Sequence, residues 1–228
     1  MSDQAAPRAL LLVGSPRRGT STSHALGTHL LDALATRGLT THTLHAYSAL
    51  RDAAGQADLL DAVAQADLLV LAFPLYVDQL PAQMIRTLEL VHAHRQGSAA
   101  PKAQRLVAIV NCGFPETAHN HPAVAVCRQF AAETGIEWAG GLGMGMGGAI
   151  DGRPLAQLGR RTRNVRTALD LAADALARAH PIPPEAVALM AKPLVPKRLY
   201  LLLGSMSWKR SAKKHGVART LDARPYAD

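Results

Sequence analysis

The chain has 228 residues, 48% of them hydrophobic, enough to bury the core of one domain of average or slightly large size. No run of about 18 apolar residues occurs, which excludes a helix crossing a bilayer, and Cys112 and Cys127 have neither metal-knuckle nor disulfide spacing, so a reducing cytoplasm is the expected compartment. The formal charge of +8 is uneven: residues 192–228 hold nine Lys or Arg against two Asp, and such a tail attracts phosphorylated cofactors, nucleic acid or anionic lipid without choosing among them.

The first apolar run, residues 9–13 (ALLLV), follows an acidic residue and has no small-residue cleavage site, so it reads as a buried strand and not as a secretory leader. The loop GSPRRGTSTS comes next. Leu26, Leu30, Leu31 and Leu34 then recur at helical spacing up to Gly38. Residues 39–45, with three threonines, predict a polar edge strand. A short helix around residues 59–63 and a buried strand at 67–73 (DLLVLAF), closed by Pro74, follow. Pro81 suits the first turn of a helix reaching about His94, with Met84, Leu88 and Val91 on one face. A fourth strand at 105–110, a helix at 124–133 and a fifth strand at 136–142 complete five repeats.

Strands alternating with helices predict an α/β fold. Right-handed crossovers then give a flavodoxin-like, doubly wound, five-stranded parallel sheet in the order 2-1-3-4-5, with helices on both faces. Residues 155–179 read as one long last helix before the break at Pro181, Pro183 and Pro184. Residues 1–180 are thus the expected domain and 181–228 a basic C-terminal extension, packed on the domain or on a neighbouring subunit. The apolar and basic stretch at 199–214 resembles an interfacial helix, but Gly204 and Ser205 are expected to interrupt it.

In a doubly wound sheet, ligands bind beyond the carboxyl ends of the strands. The first loop, residues 14–23, joins a buried strand directly to a helix, whose unpaired N–H groups and dipole favour an anion. Ser15, Ser21, Thr22 and Ser23 add hydroxyls, and Arg17 or Arg18 a charge-assisted contact, so the loop reads as a phosphate seat. It is not a nucleotide-triphosphate loop, because Gly14 and Gly19 are followed by Thr20 and no lysine. GLGMGMGG, residues 141–148, superficially contains a dinucleotide fingerprint, but it follows the fifth strand. It is better read as a close-packed turn, at a flavin edge or a subunit contact.

Pro74, Leu75, Tyr76 and Val77 after the third strand, and Asn111, Cys112, Gly113 and Phe114 after the fourth, offer backbone groups, a glycine and two rings to a flat heteroaromatic ligand. Cys112 reads more economically as a small buried residue than as a redox group. His119 and His121 read as exposed loop histidines without a catalytic role. No acid or base is nominated.

GSPRRGTSTSHAL, PLYVDQLPAQM and NCGFPE, in that order and each at a strand end, resemble the NAD(P)H-dependent FMN reductase group of flavodoxin-like oxidoreductases. The resemblance covers about residues 8–155. It implies that Ser15, Arg17, Ser21, Thr22 and Ser23 hold the FMN phosphate, with Thr22 standing where members often have Asn. It implies that residues 74–77 and 111–114 border the isoalloxazine. The implied activity is an FMN-dependent oxidoreductase moving reducing equivalents from NADH or NADPH to a small acceptor such as a quinone or free flavin, in a homodimer or homotetramer. The alternatives are a flavodoxin-like electron carrier for protein partners, or a module whose basic tail binds nucleic acid or an anionic membrane. Nucleic acid is not expected as a partner, and membrane contact is expected to be weak and peripheral, without stable insertion.

Overall fold

The structure, a computed structural model, describes residues 6–98 and 101–223. The end of the expected extension, residues 224–228, and the side chain of Arg18 lie outside the described part. Five parallel strands, β1 (Arg8–Val13), β2 (Thr40–His45), β3 (Leu68–Pro74), β4 (Arg105–Asn111) and β5 (Glu137–Met144), form one sheet in the order 2-1-3-4-5, as expected. β1, β3 and β4 are apolar runs buried almost throughout because helices cover both faces. β2, at the edge, is exposed or half-buried.

Alternation along the strands sorts the core into two layers. On one face Leu10, Leu12, Leu69, Leu71, Phe73, Leu106, Ala108 and Val110 pack under α3 (Ala53–Gln65), α4 (Ala82–Gln96) and α5 (His121–Glu133). A short α2 (Ala46–Ala49) precedes α3. On the other face lie α1 (Thr22–Ala35) and α6 (Arg163–Ala177), joined by His29 to Asp170 at 2.9 Å and Arg37 to Asp174 at 2.6 Å.

The long helix expected over 155–179 is broken. A 3-10 stretch, Leu155–Thr162, precedes α6, and Gly159 at φ 57°, ψ −132° holds a backbone conformation that an α-helix cannot contain. Apolar spacing runs through this kink, which is why periodicity alone did not show it. The compact unit continues to Leu194, past the proline break taken as the boundary. The Ile182 N–H donates to Ala139 O at 2.7 Å, and α7 (Pro184–Met190) buries Ala186 and Met190.

The second unit begins at Val195 and contains α8 (Lys197–Lys214). This helix runs without a break through Gly204 and Ser205, correcting the expected interruption: one glycine and one serine cost only about 1 kcal/mol of helix propensity. Among the described residues no helix is long and apolar enough to cross a membrane.

Candidate functional site at the carboxyl edge of the sheet

Strand register sets the site. Val13 is level with Ala72, Pro74 with Asn111, and Asn111 with Met144, so the loops after β1, β3, β4 and β5 leave the sheet side by side. They line a groove of about 210 Å³ formed by Ser15, Arg17, Ser21, Thr22, Ser23, Pro74, Leu75, Tyr76, Asn111, Cys112, Gly113, Gly147, Gly148 and Asp151. Eleven of the thirteen residues expected from sequence are therefore brought together. Val77 and Phe114 stand outside the lining, exposed on the rim.

Ser21 caps α1: its backbone is extended, and its hydroxyl oxygen accepts from the His24 N–H at 3.1 Å. The N–H groups of the first turn, at the positive end of the helix dipole, are the chemistry that favours an anion here. Ser15 Oγ accepts from the Arg17 N–H at 3.4 Å, and the Arg17 guanidinium reaches Asp151 at 3.4 Å, both side chains largely in solvent. Thr22 Oγ1 donates to Gly147 O at 2.8 Å. Ser23 is turned inward and buried; it accepts from Asn111 Nδ2 at 2.7 Å, while that amide also donates to Phe73 O at 3.2 Å. Ser23 and Asn111 thus tie α1, β3 and β4 together beneath the groove.

Gly147, Gly148 and Asp151 are lining residues not singled out from the sequence, although the glycine run was read as a close-packed turn. The signal was its place after the fifth strand, at the same edge as the other loops. Close packing extends to Gly152, at φ +71°, where a Cβ would fall 2.1 Å from Thr20 O, so only glycine lets the two loops approach.

The rim is strained and braced. Tyr76 and Gln79 exchange backbone hydrogen bonds at 3.0 and 3.1 Å around Val77 and Asp78, both at positive φ (51° and 57°). For Val77, a β-branched residue 97% exposed at the tip, this conformation is unfavourable. Asp78 Oδ1 lies 3.2 Å from His119 Nδ1, and the His119 ring packs on Phe114 with centroids 4.6 Å apart. His119 is therefore a brace between the two rim loops and not a free loop histidine. His121, by contrast, is exposed at the start of α5.

Cys112 is buried, and its thiol donates to the carbonyls of Phe114 at 3.5 Å and Glu116 at 3.6 Å. Burial pushes its pKa up, with a smaller opposing contribution from hydrogen bonding, so it stays a neutral thiol that fixes the loop. Among the described residues no cluster of His, Cys, Asp or Glu could hold a metal ion.

Residues 7–135 match the family described as "Flavodoxin-like fold", and the chain belongs to it. Among curated proteins none matches. Solved structures with a similar fold include an NADH:FMN oxidoreductase in its apo form, 19% identical over 79% of this chain and 94% of that one, with a TM-score of 0.58. An FMN-dependent NADH-azoreductase from Bacillus anthracis, solved with FMN, is 15% identical over 75% of this chain and 99% of that one, with a TM-score of 0.55. Rubredoxin oxygen:oxidoreductase from Desulfovibrio gigas is 13% identical at a TM-score of 0.54; the match takes in 82% of this chain but spans only 38% of that protein's length. At these identities the likeness is one of fold.

Proposed function

We propose that the chain binds FMN at the carboxyl edge of the sheet and acts as an NAD(P)H-dependent oxidoreductase on a small acceptor such as a quinone or free flavin. The observation that carries this reading is the convergence of a hydroxyl-rich loop, a helix N-terminus and two ring-bearing loops on one groove. The residues fit the cofactor: Ser15, Ser21, Thr22 and the first-turn N–H groups of α1 suit a phosphate, with Arg17 exchanging Asp151 for it. A Cβ built on Gly113 would meet nothing within 4 Å, so that stretch of loop faces open space in which a flat ring has room. The groove is smaller than the roughly 300 Å³ of an enclosing pocket, so the ring would extend over the rim toward Tyr76 and Phe114, which are exposed.

When bound, FMN would supply the redox chemistry, accepting reducing equivalents from the nicotinamide and releasing them to the acceptor. The chain's own task is to seat the phosphate and hold the two rim loops apart at a fixed spacing through Asp78, His119 and Phe114. Cys112 takes no part as a nucleophile. The activities named for the two flavin-linked structures above support the same general chemistry, and a homodimer or homotetramer belongs to the same proposal. The test is the visible spectrum of the purified protein after FMN is added and the excess removed, followed by anaerobic NADH or NADPH. Retained flavin bands that bleach are expected; bands that persist would favour a protein-docking carrier, and loss of all flavin would overturn the reading.

A further inference from the structure

The second unit carries a surface that FMN chemistry does not use. In α8 the side chains of Leu199, Leu202, Leu203 and Met206 recur at positions i, i+3, i+4 and i+7, which places them in one stripe, and all four are exposed. Leu201 and Trp208 are exposed as well, on the opposite side of the helix, about 180–200° around the axis from Leu199. A stripe of this kind left in water is unfavourable. The charge is segregated along the axis: Lys209, Arg210, Lys213 and Lys214 occupy the last turns, Lys197 and Arg198 the first, and the helix has no Asp or Glu.

Three occupants compete for such a surface, and charge discriminates among them. A second copy of the chain offers little complement, because residues 1–194 hold 17 Lys or Arg and 15 Asp or Glu, nearly balanced. Nucleic acid would satisfy the cations but leave the leucines and methionine in water. An anionic bilayer surface satisfies both: the stripe enters the acyl boundary, and Arg210 and Lys213, which continue the same side of the helix, reach the headgroups. We propose that α8 is a surface-lying helix for membranes rich in anionic lipid, one that does not cross the bilayer.

The full-length protein is to be sedimented with vesicles of phosphatidylcholine alone or with about 30% phosphatidylglycerol. Binding is expected to the anionic vesicles only and to weaken steeply with added salt. Replacing Lys209, Arg210, Lys213 and Lys214 with Gln together should lower partitioning on the order of a thousandfold, and Leu202→Ser with Met206→Ser on the order of a hundredfold. Either set should leave the FMN spectrum unchanged, which keeps this proposal separate from the flavin reading. If a variant fails to fold, the lipid and salt dependence of the unaltered chain still decides. Failure to bind anionic vesicles at low salt would overturn the proposal. So would a change of oligomeric state in Leu202→Ser/Met206→Ser without lipid, which would assign the stripe to a second copy. Binding to duplex DNA that survives the apolar substitutions and competes with the vesicles would overturn it as well.

Discussion

The two edges of the sheet use polar groups in opposite ways. At the amino edge they close on one another: the Arg8 N–H donates to Asp67 at 2.8 Å and its guanidinium to Gln65, while Lys102 Nζ donates to Gln65 O at 2.8 Å and pairs with Asp67 at 2.8 Å. Deeper in, Gln104 Nε2 donates to Val63 O at 2.6 Å and Ala66 O at 2.8 Å, while Gln104 Oε1 accepts from the buried Arg95, which also donates to Thr134 O at 2.9 Å. At the carboxyl edge the contacts of Arg17 are long and solvent-exposed, a valine sits in a strained turn, and two aromatic rings face outward. Cavity size does not separate the two edges in favour of the proposed site. A larger hollow, about 460 Å³, lies at the amino edge among Arg8, Thr40, His42, Asp58 and Asp61, yet Arg8 is already held by Gln65 and Asp67. Polar groups that close on one another fix structure, whereas strain and outward-facing donors are what the proposed flavin site would use.

The comparison breaks first at Gln104. Gln104→Ala removes two buried bonds and leaves the Arg95 guanidinium, already depressed in pKa by burial, short of an acceptor. Urea denaturation should show a loss of about 3 kcal/mol, while the folded protein retains FMN as before. Weaker FMN binding would mean that the two edges are not separate in function. The converse change is Arg17→Ala with Ser21→Ala. FMN affinity should fall at least tenfold, about 1.4 kcal/mol, and stability by about 1 kcal/mol through the lost cap of α1. Unchanged affinity by flavin fluorescence quenching would remove the phosphate seat from the groove.

Legibility followed the same division. The strands, their order and the loops that converge were readable, because apolar runs ending in glycine or proline state both the strand and its end, as ALLLVG and LLVLAFP do. The brace of Asp78, His119 and Phe114 was not readable, because it joins a turn after β3 to residues after β4 through contacts that leave no periodic trace. Nor was the inward turn of Ser23: sequence shows a hydroxyl at a helix start but not that Asn111 claims it. Gly159 and the end of the first unit escaped for another reason, since local apolar spacing passes through a kink and prolines mark a turn without showing what packs beyond it.

Strain at the rim gives a smaller effect of the opposite sign. Val77→Gly relieves a left-handed β-branched residue, and after the added freedom of the unfolded chain is set against it, stability should rise by about 0.5–1 kcal/mol. Thermal unfolding without flavin checks this, and a drop in melting temperature would mean that the turn is not strained. FMN-bound protein should gain less, because binding must order the more mobile glycine tip at an entropic cost.

The smallest effect sharpens the amino edge by pH. Burial would raise the pKa of Asp67, but the hydrogen bond from Lys102, the Arg8 N–H and the charges of Lys102 and Arg8 together bring it below the ordinary aspartate value of 3.8. Because the folded value is depressed, the carboxylate contributes stability above the unfolded pKa and loses it as pH falls through the folded one. The side chain is 36% exposed, so solvent screening holds the contribution to roughly 0.5 kcal/mol. Asp67→Asn should therefore be slightly less stable than the unaltered protein near neutrality, and the two should converge as the pH falls below 3.8. A difference that persisted in acid would assign the role of Asp67 to its shape and hydrogen bonds and not to its charge.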